Sequence, residues 1–191
     1  MLKDLVKKNR SYRRFDGNYT IEKETLYELV ELARLSPSAL NLQPLRFFIS
    51  NDKETNGRIF QNTVWAKYHG KDGAPKEGER PSAYIIILRP KDISHKFDCD
   101  YGICAQSILL GAVEKGLGGC MIASIERDNL RQTLSIPEKY EILLVIALGK
   151  PVETVVIEEV GEDGNIKYWR DEKKIHHVPK RALKDLIIEK F

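Results

Sequence analysis

The run Arg10-Ser-Tyr-Arg-Arg-Phe15 packs three guanidiniums, one hydroxyl and two aromatic rings into a single short stretch. A guanidinium stays charged and its planar fork matches a carboxylate or phosphate, so the run either solvates a surface or holds an anion. Lys180 and Arg181 offer two more cations that could converge with it, provided the chain end returns to the same place. On the residues alone, both readings stand.

Other chemistry is poorly provided for. The stretch GLGG at 116–119 follows a helical run and has Met121 where a third glycine would be needed, so it is no dinucleotide fingerprint. No GxxxxGK[ST] loop, GxSxG elbow or HExxH pair occurs, which removes support for triphosphate binding, serine hydrolysis and zincin chemistry. His95 and Cys99 stand four apart but give only two ligands, short of a zinc site, and no metal is expected. His176 and His177 would point apart on any regular element and read as surface histidines. Cys120 has no cationic neighbour in the sequence and reads as a small buried hydrophobe.

The elements that must position the arginines follow from hydrophobic periodicity. Leu2, Leu5 and Val6 make 2–8 a short amphipathic helix, so the arginines leave its end as a loop. Thr20 caps a second helix with Glu22 and Glu24 in its first turn, and Leu26, Leu29, Val30 and Ala33 form its inner face before Pro37. SPSALNLQP, 36–44, is a proline-fenced loop feeding a strand at 45–50. The glycines, prolines and charges of 66–81 predict a flap, with Trp65 and Tyr68 beside it as candidates to cover a planar substrate; Trp65 also suits a core. Strands are expected at 83–88 and 141–149, a central apolar helix from Asp100 to Lys115, an extended piece at 116–124 and a short helix from Asp128 to Leu134. The small residues Ala105, Ser107, Gly111 and Ala112 would let a second subunit approach the central helix. Beyond Pro151, VETVVIEEV and NIKYW flank a turn at 161–164, and a last helix is expected from near Pro179.

A chain of 191 residues with 42% hydrophobic and 31% charged residues is an ordinary globular mixture, so one domain spanning 1–191 is expected, with the flap at 66–81 and a tail at 151–191. A net charge of +3 is too mild for a nucleic-acid surface. MLKDLVKKN lacks the uninterrupted apolar core of a signal peptide or span, and three cysteines without a CxxC pair fit reduced thiols; the expectation is a cytoplasmic protein with no membrane partner.

Taken together and in order, RSYRRF, SPSALNLQP, DCDYGICAQSILLGAVEKGLGGC, IPEKYEILLVIALGKP and HHVPKRAL resemble the FMN-dependent nitroreductase family across nearly the whole length. The resemblance implies an α+β fold, a central mostly antiparallel sheet flanked by helices, in an intertwined homodimer with FMN where the subunits meet. Arg10, Ser11 and Arg13 would then hold the FMN phosphate, joined by Lys180 and Arg181, while Arg14 points elsewhere. Pro37, Ser38, Ala39, Asn41 and Gln43 would come from the other subunit to the flavin ring and ribityl chain, and Ile122, Ala123 and Ser124 would lie near flavin N5. The implied activity is hydride transfer from NADH or NADPH, as transient co-substrate, to a small acceptor by a ping-pong route, the flavin rather than a side chain performing the chemistry. A non-catalytic flavin-binding protein is the alternative. Many members carry an arginine where Asn9 stands, and the segment near N5 often carries a proline or a Glu-Gly pair that CMIAS lacks.

Overall fold

The computed structural model describes residues 1–66, 68, 70, 73–93 and 99–189. His95, and with it the His95–Cys99 pair, falls outside them, as do Lys67, His69, Lys71 and Asp72 of the expected flap. Four strands, β1 (Arg46–Ser50), β2 (Ala83–Pro90), β3 (Gly118–Ile122) and β4 (Tyr140–Gly149), form an antiparallel sheet in the order β1-β2-β4-β3. The continuous apolar runs take the two central places because both their faces are covered. From Ala83 to Leu88 no residue is more than 7% exposed, and each fully buried large aliphatic stabilises the fold by about 1.5–3 kcal/mol.

Alternate residues of the central strands feed two cores. Ile85, Ile87, Leu144, Ile146 and Leu148 pack against α2 (Lys23–Leu35) and α4 (Asp100–Glu114). Tyr84, Ile86, Val145 and Ala147 face Phe15, Ile59, Trp65 and Leu130. A Cβ on Gly111 would meet Leu32 Cδ1 at 2.2 Å, so the bare glycine is what lets α2 lie so close to α4.

The expected α+β architecture is present, and its departures have physical causes. An unforeseen helix, α3 (Lys53–Gln61), buries only Asn56 and Ile59, too little apolar periodicity to stand out; its signal is the Asp52 cap, which accepts from the Thr55 N–H at 2.7 Å. The second helix starts after Glu22, with no side-chain cap, instead of after Thr20. No helix starts at Pro179, which lies in β7 (His176–Lys180). That strand pairs in parallel with β5 (Val155–Glu159) on one side, and on the other with the two-residue β6 (Trp169–Arg170) only at His176 and His177. Pro179 lies past β6, where a missing N–H costs no ladder bond on that side. Only a 3₁₀ turn, Leu183–Asp185, follows.

The paired histidines do point apart, but neither is a surface residue. His176 is 1% exposed. His177 stacks on Trp169 at 4.1 Å between centroids, hydrogen-bonds Glu158 through Nδ1, and holds Nε2 3.5 Å from Asp171. The Glu158 hydrogen bond above all, with Asp171 assisting, raises the His177 pKa above its ordinary 6.5. A raised folded-state value means the stabilisation is complete below about pH 6.5 and is lost as pH rises through the folded value. Amides of β5–β7 are therefore expected to lose hydrogen-exchange protection, relative to the four-stranded sheet, on the alkaline side of that titration. Equal protection of both sheets across the range would refute a stabilising role for the His177–Glu158 bond.

Among the described residues no helix is long and apolar enough to cross a membrane, and no group of three His, Cys, Asp or Glu is placed to hold a metal ion.

Candidate functional site

The arginine run emerges from α1 (Leu2–Lys8) and lies along the edge strand β3. Ser11 forms a parallel bridge with Gly119, and the Tyr12 N–H donates to the Gly119 carbonyl at 3.0 Å. Further on, Asp16 N–H donates to Lys150 O at 2.8 Å and Val152 N–H to Arg14 O at 3.0 Å. Such close seating needs bare backbone. A Cβ on Gly118 would stand 2.5 Å from Tyr12 Cδ2, and one on Gly119 2.4 Å from the Ala147 carbonyl oxygen. GLGG thus serves packing, consistent with its failure as a nucleotide motif.

Glu153 fastens the run from the other side. Its carboxylate, 4% exposed, accepts from the Arg13 N–H, from the Arg14 N–H at 3.1 Å and from Arg170 Nη2 at 2.8 Å. Neither Glu153 nor Arg170 stood out in the sequence, because their partners are about 140 and 17 residues away.

The three arginines have different surroundings. Arg10 donates from Nη2 to Val6 O at 2.7 Å, while its Nε–H is buried with no partner, and burial lowers its pKa. Arg13 donates from Nη1 to Ser11 O at 3.1 Å and lies 5.1 Å above the Tyr168 ring. Arg14 turns away, as alternation in an extended loop requires, to Ala74 O at 2.9 Å and Glu79 Oε2 at 2.7 Å. Lys180 and Arg181 are exposed, and among the described residues no hydrogen bond or ion pair ties either to the arginine run. Cys120 is buried as expected, and burial pushes its thiol up; Arg13 opposes that, a cationic neighbour the sequence did not reveal. Asn9 donates to Gln106 Oε1 at 3.3 Å, tying the start of the run to α4.

Next to the run opens a cavity of about 850 Å³ whose walls include Arg14, Tyr68, Lys76, Glu153, Arg170 and Lys174. Tyr68 sits with its ring 5.0 Å from that of Tyr168, and so joins the arginines through an aromatic bridge that sequence reasoning missed. Trp65 belongs to the core instead: it is 6% exposed, and its Nε1–H donates to Thr63 Oγ1 at 3.0 Å. Of the expected flap, Gly73 and Pro75 are buried, and the Glu79 carbonyl accepts from the Phe15 N–H at 3.0 Å. Ile122 is buried at the end of β3, while Ala123 and Ser124 are exposed just beyond it.

The proline-fenced loop is gripped by Asp100, a buried carboxylate at the start of α4 that the sequence placed in the helix without disclosing this role. Ser38 Oγ donates to it at 2.6 Å and the Ala39 N–H at 3.3 Å, and Ser38 Oγ in turn accepts from the Gln43 N–H at 3.0 Å. Leu40, Asn41 and Gln43 all adopt left-handed backbone, with φ of 51°, 53° and 46°. Left-handed geometry costs a non-glycine residue about 1–2 kcal/mol, and here it holds the side chains of Leu40 and Asn41 outward. Among the described residues no hydrogen bond joins Pro37 and this loop to the arginine run within one chain.

The Nitroreductase family model matches residues 6–150, which takes in the arginine run, the proline-fenced loop and all four strands of the main sheet. An oxygen-insensitive NADPH nitroreductase of Helicobacter pylori (strain J99) is 35% identical over 78% of this chain and 87% of its own. An iodotyrosine deiodinase of Thermotoga neapolitana is 24% identical over 90% and 95%. Among solved structures, an FMN-dependent nitroreductase from Clostridium difficile R20291 superposes with a TM-score of 0.65 at 27% identity, covering 78% of this chain and 87% of that one. An edge strand with bare glycines, an arginine run pinned along it and a family model spanning both make this chain a member of the nitroreductase family.

Proposed function

We propose that this chain is an FMN-dependent oxidoreductase that takes hydride from NADH or NADPH and reduces a nitroaromatic, quinone or related small acceptor in ping-pong order. The observation that carries the reading is the buried Arg10 Nε–H without an acceptor, in a run where Ser11 and Arg13 stand beside it on β3. A buried cationic donor is costly until an anion reaches it, and a phosphate dianion supplies both charge and lone pairs. FMN, when bound, supplies the hydride-accepting and hydride-donating chemistry.

The chain's own residues bind and orient. Arg10, Ser11 and Arg13 hold the phosphate, and Lys180 and Arg181 add charge from the exposed tail. From a second copy, Pro37, Ser38, Ala39, Asn41 and Gln43 meet the ring and ribityl chain, which suits a loop whose left-handed backbone turns Asn41 outward. Ile122, Ala123 and Ser124 lie near the reactive edge of the ring, where a backbone N–H of the segment stabilises charge on the reduced flavin. Tyr68 lies over the acceptor, with Trp65 as packing behind it. A homodimer fits the surface left bare in one chain. No residue of α1 is buried, and a seven-residue helix does not hold in water without packing; Leu35 and Leu40, 63% and 80% exposed, ask for the same cover. One domain with a flap and a wrapping tail, in the cytoplasm, completes the reading.

The test is the visible spectrum of the purified protein under nitrogen, before and after NADH and then NADPH. A flavin spectrum that bleaches supports the reading. Flavin that neither nucleotide bleaches would point to the flavin-binding alternative, and a colourless protein that FMN cannot reconstitute would defeat both. In Arg13→Ala the loss of a charged hydrogen bond, about 1.5–3 kcal/mol, is expected to weaken FMN at least tenfold. Fluorescence of released FMN reads it, and unchanged affinity would remove Arg13 from the phosphate.

A further inference from the structure

A second cavity, of about 420 Å³, lies on the other side of the Phe15 turn, between the Gly17–Thr20 loop, α3 and the approach to β2. Two residues of its wall carry buried hydroxyls that have no partner among the described residues: Tyr84 Oη, on a residue 1% exposed, and Ser82 Oγ. An unmet buried hydroxyl costs about 1–3 kcal/mol, so two in one cavity are unusual unless something fills it. The wall is built to stay open. Asn56 is held at both ends of its amide, accepting from Ser50 Oγ at 2.8 Å and donating to Ser82 O at 2.8 Å, so turning toward the hydroxyls would break both bonds. Gly17 donates to Gly78 O at 2.8 Å with no room for a Cβ, which fixes the loop as the outer wall.

The charges around this cavity select its occupant. Lys53, Arg80 and Glu77 line it, a net excess of one positive charge, which suits a monoanion better than a phosphate dianion. Arg80 is held flat, its guanidinium 4.4 Å above the Phe60 ring. Phe60, Tyr19 and Pro81 add apolar wall that a bare ion would leave unused. Burial raises the Tyr84 pKa, so the phenol stays protonated and acts as a donor.

We propose that this cavity binds a small organic carboxylate, whose oxygens accept from Tyr84 and Ser82 while Arg80 and Lys53 balance its charge and Phe60, Tyr19 and Pro81 cover its carbon skeleton. The site is separate from the arginine run, so it does not rest on the flavin reading. Benzoate is the probe, titrated calorimetrically into the protein as purified, with any bound flavin left in place and neutral benzamide as comparison. Saturable one-site binding is expected, at least tenfold tighter for benzoate, with the flavin spectrum unmoved. Tyr84→Phe, which removes only the oxygen, should weaken it at least fivefold. Gly57→Met should abolish it, because a Cβ at Gly57 meets nothing within 4 Å and a longer chain extends into the cavity from the surface of α3. Absence of saturable binding, affinity undiminished in both variants, or binding that shifts the flavin spectrum would each overturn the proposal; the last would place benzoate against the flavin.

Discussion

Glu153→Ala is expected to lower the unfolding free energy by about 3–5 kcal/mol, the cost of removing one partner from a buried ionic network. The size follows from what the carboxylate holds. It accepts from two successive backbone N–H groups, Arg13 and Arg14, and from the Arg170 guanidinium, with its own side chain 4% exposed. Alanine leaves two donors and a cation without that acceptor, where water has little access. Because Arg170 lies in β6 and Glu153 just before β5, the same change loosens the small sheet's hold on the arginine run, leaving the Val152 N–H bond to Arg14 O and the Arg13–Tyr168 contact. Glu153→Gln keeps an acceptor and should lose less than half as much. Urea unfolding measures both; a loss below about 1 kcal/mol in the alanine variant would mean the carboxylate behaves as an exposed surface pair.

What the sequence disclosed follows the range over which its signals act. The runs YIIIL and EILLVIALG needed no partner to be recognised as central strands, because continuous apolar character already implies cover on both faces. Arg10, Ser11 and Arg13 were visible as a cluster because they are neighbours in the chain. Asp100 was not, since its role as anchor of the 36–44 loop depends on Ser38, 62 residues earlier. Tyr168 was hidden for the same reason: its place between Tyr68 and Arg13 is made by the fold. The polar α3 escaped because its burial rests on one isoleucine and one asparagine. The last helix was a local inference from a proline at a plausible first turn, overridden by the pairing of β7 with β5, 21 residues before it in register.

Gly119→Ala tests the link between packing and the site with the smallest change available. The added methyl carbon would sit 2.4 Å from the Ala147 carbonyl oxygen and 2.6 Å from Leu109 Cδ2. The first obstacle is backbone of β4, a central strand that cannot give way without disturbing its ladder to β2, so β3 must move instead. About 3 kcal/mol of stability is expected to go, the upper end of ordinary overpacking. Moving β3 also carries off the Ser11 bridge and the Tyr12 hydrogen bond, both made to Gly119 itself. On the flavin reading, FMN should therefore bind at least tenfold more weakly, although no side chain that contacts it has changed. Gly57→Ala is the matched control. Its Cβ meets nothing within 4 Å and lies in the middle of α3, so the same methyl should stabilise by about 0.5–1 kcal/mol and leave FMN affinity alone. Thermal unfolding and FMN titration of the two variants separate the effects: a Gly119→Ala protein as stable as the parent would mean that β3 has room, and one destabilised but with full FMN affinity would mean that the arginine run keeps its geometry without the strand.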